Sequence, residues 1–318
     1  YGIFLIFSGA GLLDSLLCLW LFGELTVTWN AMSYLTAIKD YRGIMLSFTA
    51  AIVITFLSGW VLLMLGIPHV EALLIAVAGG YGVMLLWDVI LLYQYFPQGE
   101  KGAFLFLRWV DQFLPLAFTG LFINIGLFAH LVIMWVGPLQ VQVQGLFVGA
   151  PYHDVPALVA FLTILVTTVN FVVSVEVNFY PKYKNYYSLF NDKGAVGDIT
   201  QAGEEMLKVL NVELKYTALK QLLATALAIS LGGLLLEYVP LGFNDLMEGY
   251  FRTLCVGYGI YAVANTILLL LLYFTDYKGA LAASGCFAGG TVLFTVISLF
   301  FPRVYYGFGF LTGSAAVF

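Results

Sequence analysis

The chain has 318 residues, of which 62% are hydrophobic and only 10% are charged. This composition excludes an ordinary soluble domain and is typical of an integral membrane protein. The net charge of −5 provides no concentrated basic face, which excludes nucleic acid as a partner. Apolar runs recur from end to end, so a cleaved signal peptide does not explain the composition.

Apolar runs of about 20 residues predict an all-α polytopic bundle with about ten transmembrane helices. In chain order they cover about 2–22, 25–38, 43–66, 70–95, 108–136, 155–180, 217–237, 248–274, 279–301 and 304–318. The second run is short. The chain begins at Tyr1 and ends at Phe318 inside an apolar run, so we expect it to be a portion of a longer polypeptide.

The basic residues predict the orientation of these spans. All but two of the 13 Lys and Arg residues fall on one side of the alternation, and the exceptions are Arg252 and Arg303. Because cytoplasmic loops carry the excess of Lys and Arg, that side is expected to be cytoplasmic. It holds Lys39, Arg42, Lys101, Arg108, Lys182, Lys184, Lys193, Lys208, Lys215, Lys220 and Lys278.

The longest polar stretch, residues 181–216, falls on the cytoplasmic side. From Thr200 it is typical of a helix start: Thr200 is a candidate cap, and Glu204 stands four residues before Lys208. Apolar residues recur on one face, which fits an amphipathic helix lying on the membrane or under a partner. A solvated extension of the following span explains the pattern equally well.

Residues 106–130 carry the clearest polar face within a predicted span. At about 100° per residue, several polar or small residues share one stripe, and Pro115 predicts a kink that frees backbone groups. One interpretation makes this stripe the wall of a hydrated passage between two halves of the protein. The other is an ion pair at its cytoplasmic end, with Thr119 and His130 bonded to neighbouring helices. The stripe comprises Arg108, Asp111, Gln112, Pro115, Thr119, Gly126 and His130.

Three further carboxylates fall in apolar runs, at Asp14, Asp88 and Glu176. An ionisable side chain at membrane depth costs several kcal/mol, so each indicates water, a partner or an interface position. Glu176 precedes a cluster of tyrosines and lysines; it is either a local anchor that meets Lys182 or Lys184, or a group that faces the cavity.

No pattern of an enzyme or of a bound cofactor is present. The three cysteines, Cys18, Cys255 and Cys286, lack metal-ligand or CxxC spacing. His69 and His153 are assigned to outer loops and offer no zinc site. The chain also lacks a nucleophile with its base and a phosphate-binding glycine loop, so we expect neither catalysis nor a cofactor.

Five stretches of the sequence stand out together: "AIKDYRGI", "FLRWVDQFLPLAFTGLFINIG", "VEVNFYPKYKNYY", "EEMLKVLNVEL" and "YFTDYKGAL". Together they resemble the PelG family, the membrane subunit of the Pel exopolysaccharide machinery. That family is a relative of Wzx and MATE type exporters (the MOP superfamily). The resemblance implies two lobes of six helices, with an incomplete N-terminal lobe over 1–97 and a C-terminal lobe over 98–318. One departure is that the family's Asp-Lys pair after the "NIG" stretch is replaced here by His130 and Leu131.

The resemblance also implies a function. A cationic amino-sugar polysaccharide would cross the bacterial inner membrane, delivered by a PelF-like cytoplasmic glycosyltransferase with PelD-like cyclic di-GMP receptor and PelE-like membrane partners. The alternatives are a membrane scaffold for the synthase and a MATE-like ion-driven antiporter. The expected transport pathway comprises Arg108, Asp111, Gln112, Thr119, Glu176, Asp88 and Asp14. The expected partner-binding residues are Lys182, Lys184, Tyr186, Tyr187 and Lys193.

Overall fold

A computed structural model describes residues 2–97, 105–191, 194–238 and 242–316. These residues are almost entirely helical, which confirms the predicted all-α polytopic bundle. Within the described ranges, 7 helices are long and apolar enough to cross a membrane. They are Leu12–Ala37, Tyr41–Met64, His69–Tyr95, Leu107–Trp135, Pro151–Phe171, Asp245–Tyr273 and Tyr277–Ser298.

The first compact unit comprises Tyr1–Leu107 and Gln142–Phe147. In it, α4 packs along both α2 and α3. The contact between α3 and α4 is close because Gly80 has no side chain: an added Cβ would lie 2.6 Å from the carbonyl oxygen of Ala51. The helices of this unit are α1 (Gly2–Phe7), α2 (Leu12–Ala37), α3 (Tyr41–Met64) and α4 (His69–Tyr95).

The prediction of two crossings before Lys39 is wrong. Helix α2 continues through Gly23 and Glu24, where the sequence pattern indicates a break. Within the helix, the Glu24 carboxylate accepts a hydrogen bond from the indole of Trp20, one turn earlier, at 2.6 Å. The sorting of basic residues is unaffected, since Lys39 is the first of them.

The second compact unit comprises Arg108–Val141 and Val148–Phe318. Turns of 3₁₀ helix occur at Leu105–Trp109, Leu162–Ile164 and Arg303–Tyr305, and a π-helix, Ser174–Phe179, joins α7 to α8. Two short strands, β1 (Val141–Gln144) and β2 (Phe147–Gly149), form a hairpin, of which residues 142–147 belong to the first unit. The helices are α5 (Val110–Trp135), α6 (Pro151–Phe161), α7 (Leu165–Val173), α8 (Tyr180–Asn191), α9 (Val196–Tyr238), α10 (Asp245–Tyr273), α11 (Tyr277–Ser298) and α12 (Phe308–Ala315).

Helix α10 is the centre of the second unit. In its most apolar stretch of 18 residues, 61% of the residues are buried, whereas in the other candidate spans this share is at most 33%. Tyr250, Leu254 and Tyr258 are almost fully buried along it and form one apolar core with side chains of α5, α6, α11 and α12. This helix therefore holds the unit together.

A helix-start motif occurs once in each unit. The sequences are "KDYRG" at residues 39–43 and "TDYKG" at residues 275–279. Lys39 and Thr275 have φ values of 63° and 59°, and the following aspartate accepts a hydrogen bond from the glycine amide, at 3.0 Å in the first motif and 2.9 Å in the second. The aspartate thereby satisfies an amide at the start of α3 and of α11 that has no partner within the helix.

The helices that follow these two motifs also pack alike. Thr55 of α3 contacts Gly80 of α4, and Thr291 of α11 contacts Gly313 of α12. Each second helix follows a proline, Pro68 or Pro302. The shared cap, threonine–glycine contact and proline indicate that the same arrangement of helices occurs twice in the chain.

In the polar stretch over residues 181–216, the described residues are almost entirely helical and belong to α8 and α9. Helix α9 begins at Val196, and the Thr200 hydroxyl donates to the carbonyl oxygen of Val196 at 2.9 Å, so the prediction that Thr200 caps a helix is wrong. The 43 residues of α9 span about 65 Å, twice the roughly 30 Å of a bilayer core. One continuous helix contains both the polar half and the apolar run over 217–237, as the extension interpretation predicts.

Candidate functional site

The polar stripe of α5 changes character along its length. Arg108, Asp111 and Gln112 are exposed, and within the described residues no ion pair joins the first two. Thr119 is buried and donates to the carbonyl oxygen of Pro115 at 2.8 Å, so its hydroxyl is satisfied in its own helix. The inner half of the stripe packs against protein, and its role in a passage stays a prediction.

His130 and His153 form a buried pair in the second unit. The prediction that His153 belongs to an outer loop is wrong: it lies in the first turn of α6, and its ring centroid is 5.1 Å from that of His130. The Tyr258 hydroxyl lies 3.3 Å from Nε2 of His130. A usable signal is the sequence "PYHD", because proline and an acidic residue are typical of a first helical turn.

Asp154 is the last residue of that sequence, and its side chain caps the start of α6. Its carboxylate accepts hydrogen bonds from the backbone amide of Ala150 at 2.8 Å and from the indole of Trp135 at 2.9 Å. The first bond satisfies an amide at the helix start, and the second joins α6 to the end of α5. This double contact fixes the turn that places His153 in the core.

Asp88 has 0% of its surface exposed and is the most deeply buried of the predicted pathway carboxylates whose side chains are described, Asp14, Asp88 and Asp111. Ser47 faces it from α3, but the Ser47 hydroxyl donates to the carbonyl oxygen of Ile44 at 3.1 Å. Neither Asp88 oxygen has a hydrogen-bond partner among the described residues. Asp14, in the first turn of α2, is half-buried.

Glu24 is a second buried acid in the first unit, and the sequence interpretation missed it. One carboxylate oxygen is bonded to Trp20, while the other is buried and lacks a partner among the described residues. It lies in a groove of about 1020 Å³ between α2 and α4, whose other lining residues are apolar or glycine. Gly82 allows the close approach, since an added Cβ would lie 3.0 Å from Oε1 of Glu24.

Polar side chains join α7 and the π-helix to α9 at successive turns. Because water does not reach the bilayer core, such pairs satisfy one another between helices. Glu176 falls within the π-helix, but its side chain lies outside the described part of the structure, so its role stays a prediction. The pairs are Thr167 with Gln221 at 2.6 Å, Asn170 with Thr217 at 2.7 Å, Asn178 with Glu213 at 2.8 Å, and Ser174 with Glu213.

Helices α8 and α9 form a polar hairpin that holds most of the predicted partner-binding residues. Lys182 forms an ion pair with Glu205 at 2.8 Å, and the Tyr186 ring packs where Gly203 leaves room for it. Tyr187 contacts the Tyr186 ring, with centroids 5.1 Å apart. Lys184 is exposed, whereas Lys193 lies outside the described residues.

The Lys182–Glu205 pair predicts a small pH dependence. The hydrogen bond from Lys182 holds the pKa of Glu205 below its usual value of 4.5. A lowered pKa means that the stabilising effect is present above the unfolded-state value and is lost as the pH falls through the folded-state value. Glu205→Gln should therefore reduce the loss of thermal stability on acidification from about pH 6 to pH 3. Glu204→Gln, a neighbouring exposed glutamate, is the control and should leave that loss unchanged.

The whole chain, residues 1–318, matches the family model described as "PelG: Putative exopolysaccharide Exporter (EPS-E)". The chain belongs to the PelG family. No curated protein and no solved structure gives a significant match. The PelG match confirms the resemblance found in the sequence, and with the membrane-spanning helices it shows a multi-pass membrane protein with a role in polysaccharide export.

The description of the PelG family names a role in polysaccharide export, against which the site features can be compared. The family description and the membrane-spanning helices point to a transport role. The described residues hold no cluster of three or more side chains suited to a metal ion. The features that remain to be explained are the buried acids of the first unit, the polar stripe of α5 and the α8–α9 hairpin.

Proposed function

We propose that this protein moves a cationic amino-sugar polysaccharide across the cytoplasmic membrane and receives it from a glycosyltransferase on the cytoplasmic side. The observation that carries the proposal is the match of the entire chain to an exopolysaccharide exporter family. The polar half of α9 supports the second part, because about half of its roughly 65 Å length extends beyond a bilayer core.

The charge of the cargo is inferred from the acids. Asp88 and Glu24 are buried in apolar helices, and Asp111 is exposed on α5. Carboxylates at membrane depth are costly and occur mainly where they serve a partner or a polar path. Amino groups on a partly deacetylated polymer are the complementary charge.

The exposed face of α8 is the proposed docking surface for the PelF-like glycosyltransferase, in a complex with PelD-like and PelE-like subunits. Lys182 and Tyr186 are occupied by contacts within the hairpin. Lys184 is exposed, and 62% of Phe190 is exposed. An exposed aromatic beside a basic residue fits an interface, where aromatic anchors supply most of the affinity.

Reversing this surface should release the synthase. Lys184→Glu combined with Phe190→Ser reverses one charge and replaces one apolar anchor. We expect recovery of the glycosyltransferase with the purified membrane complex to fall at least about tenfold. The matched control is Lys208→Glu with Leu207→Ser, an exposed basic and apolar pair on α9. Equal recovery from both variants would contradict docking at this surface.

A membrane scaffold is the second candidate, and the same hairpin favours it. In that case the protein anchors the synthase while another component conducts the polymer. Crosslinks that immobilise the spans of both units would stop export by a conduit and leave a scaffold unaffected. The MATE-like antiporter alternative predicts ion-driven uptake of small molecules into liposomes that contain the purified protein.

A further inference from the structure

The π-helix at Ser174–Phe179 interrupts one helical run that extends from Leu165 to Asn191. A π-turn arises where an extra residue is accommodated in an α-helix, and such turns occur frequently at functional sites. The extra residue changes the register of everything that follows it by about 100° relative to an unbroken α-helix. The face of α8 that meets α9 therefore depends on this turn.

Glu213 of α9 holds both ends of the π-helix. Its carboxylate accepts a hydrogen bond from the Asn178 amide at 2.8 Å and another from the Ser174 hydroxyl. Hydrogen bonds to an ionised acceptor are stronger than neutral ones, and Ser174 is almost fully buried. A single side chain on the neighbouring helix thus spans the distorted turn.

The segments on either side of the turn are anchored separately. Before it, Thr167 is bonded to Gln221 at 2.6 Å. After it, Phe179 is 1% exposed and packs against the rings of Tyr273 and Phe274, and Lys182 pairs with Glu205. The π-helix is the link between an anchored span and an anchored cytoplasmic helix.

We propose that Glu213 is a positioning residue that holds the π-helix and so sets the face that α8 presents to the synthase. Without Glu213, and with Pro181 replaced so that no proline ring blocks an α-helical turn, the turn relaxes to an α-helix and each residue of α8 moves forward by one position. The residue at position 181 then takes the place of Lys182 beside Glu205. The link to the synthase rests on the proposed function, whereas the change of register does not.

Crosslinking in the full chain tests the register. In a background without Cys18, Cys255 and Cys286, a short thiol crosslinker is applied to Lys182→Cys with Glu205→Cys, which also carries Pro181→Ala, and to Pro181→Cys with Glu205→Cys, so that neither protein keeps the proline. Glu213→Ala is expected to abolish the first crosslink and to create the second. The upstream control, Thr167→Cys with Gln221→Cys, should crosslink equally with and without Glu213.

A rescue separates register from general damage. Deleting Val177 in the Glu213→Ala protein removes the extra residue, and it should restore the crosslink between the positions of Lys182 and Glu205. An unchanged first crosslink in Glu213→Ala, or loss of that crosslink without gain of the second, would overturn the proposal. Since these readouts need neither synthase nor polymer, failure of the proposed function would appear separately, as normal polymer secretion from docking-surface variants.

Discussion

Asp88→Asn is expected to abolish polysaccharide export and to leave the protein folded. The Asp88 side chain is fully buried, and its two oxygens have no hydrogen-bond partner among the described residues. An uncompensated acid in an apolar core costs several kcal/mol, and the proposed function accounts for Asp88 as a group that serves the cargo. The amide removes that cost, and we expect the free energy of unfolding to stay equal or to rise by about 1–3 kcal/mol.

Secreted polymer and unfolding in detergent measure the two effects. Asp111→Asn and Glu176→Gln are expected to lose export in the same way, as members of the predicted pathway. The control is Asp245→Asn, an exposed aspartate in the first turn of α10 with no proposed role. Normal secretion from Asp88→Asn would remove this carboxylate from the transport path, and a large loss of stability would assign it to the fold.

Gly309→Ala combined with Gly313→Ala is expected to separate α12 from α11. A Cβ at either glycine would lie 2.5 Å from a backbone Cα, that of Thr295 or of Thr291. The backbone atoms of α11 cannot move aside as the end of a flexible side chain can. Overpacking of such a close helix contact costs about 1–3 kcal/mol at each site. The helix propensity of alanine returns less than about 1 kcal/mol per site, so the net effect is destabilising.

Thermal unfolding of the purified protein measures this effect. Gly289→Ala is the matched control on α11, because its Cβ would meet nothing within 4 Å. It should be neutral or slightly stabilising. A double variant as stable as this control would show that the two helices can move apart without loss.

Local patterns predicted most of the spans and failed where side-chain contacts matter. The break expected between residues 22 and 25 is absent: α2 continues through Glu24, which accepts a hydrogen bond from Trp20, a contact that hydropathy does not register. The repeated "DY[RK]G" sequence marks the start of a helix each time, but it contributed to the prediction only through the family resemblance. His153 was assigned to a loop although Pro151 and Asp154 mark a helix start, since a lone histidine carries no information about what covers it.

For the candidate pathway, too, local sequence patterns predicted part of the arrangement and helix packing determined the rest. Helical periodicity assigns Asp111, Thr119 and His130 to one stripe of α5, because residue spacing alone sets direction around a helix axis, whereas Arg108 lies in the turn of 3₁₀ helix before α5. Periodicity could not show that the far end of that stripe is packed against α11, where the Phe287 ring contacts Gly126. The predicted lobe boundary near residue 97 adjoins residues outside the described ranges, and it stays a prediction.

The amino-acid sequence by itself determined the class of this protein, an all-α membrane bundle, and through its motifs the exporter family, because transfer of apolar residues into lipid and local helix formation depend on nearby residues. Only the tertiary structure decided which acids are buried, that His130 meets His153, and that Glu213 spans a π-helix. These pairs join residues far apart in the chain, and their meeting depends on helix packing that no local pattern encodes.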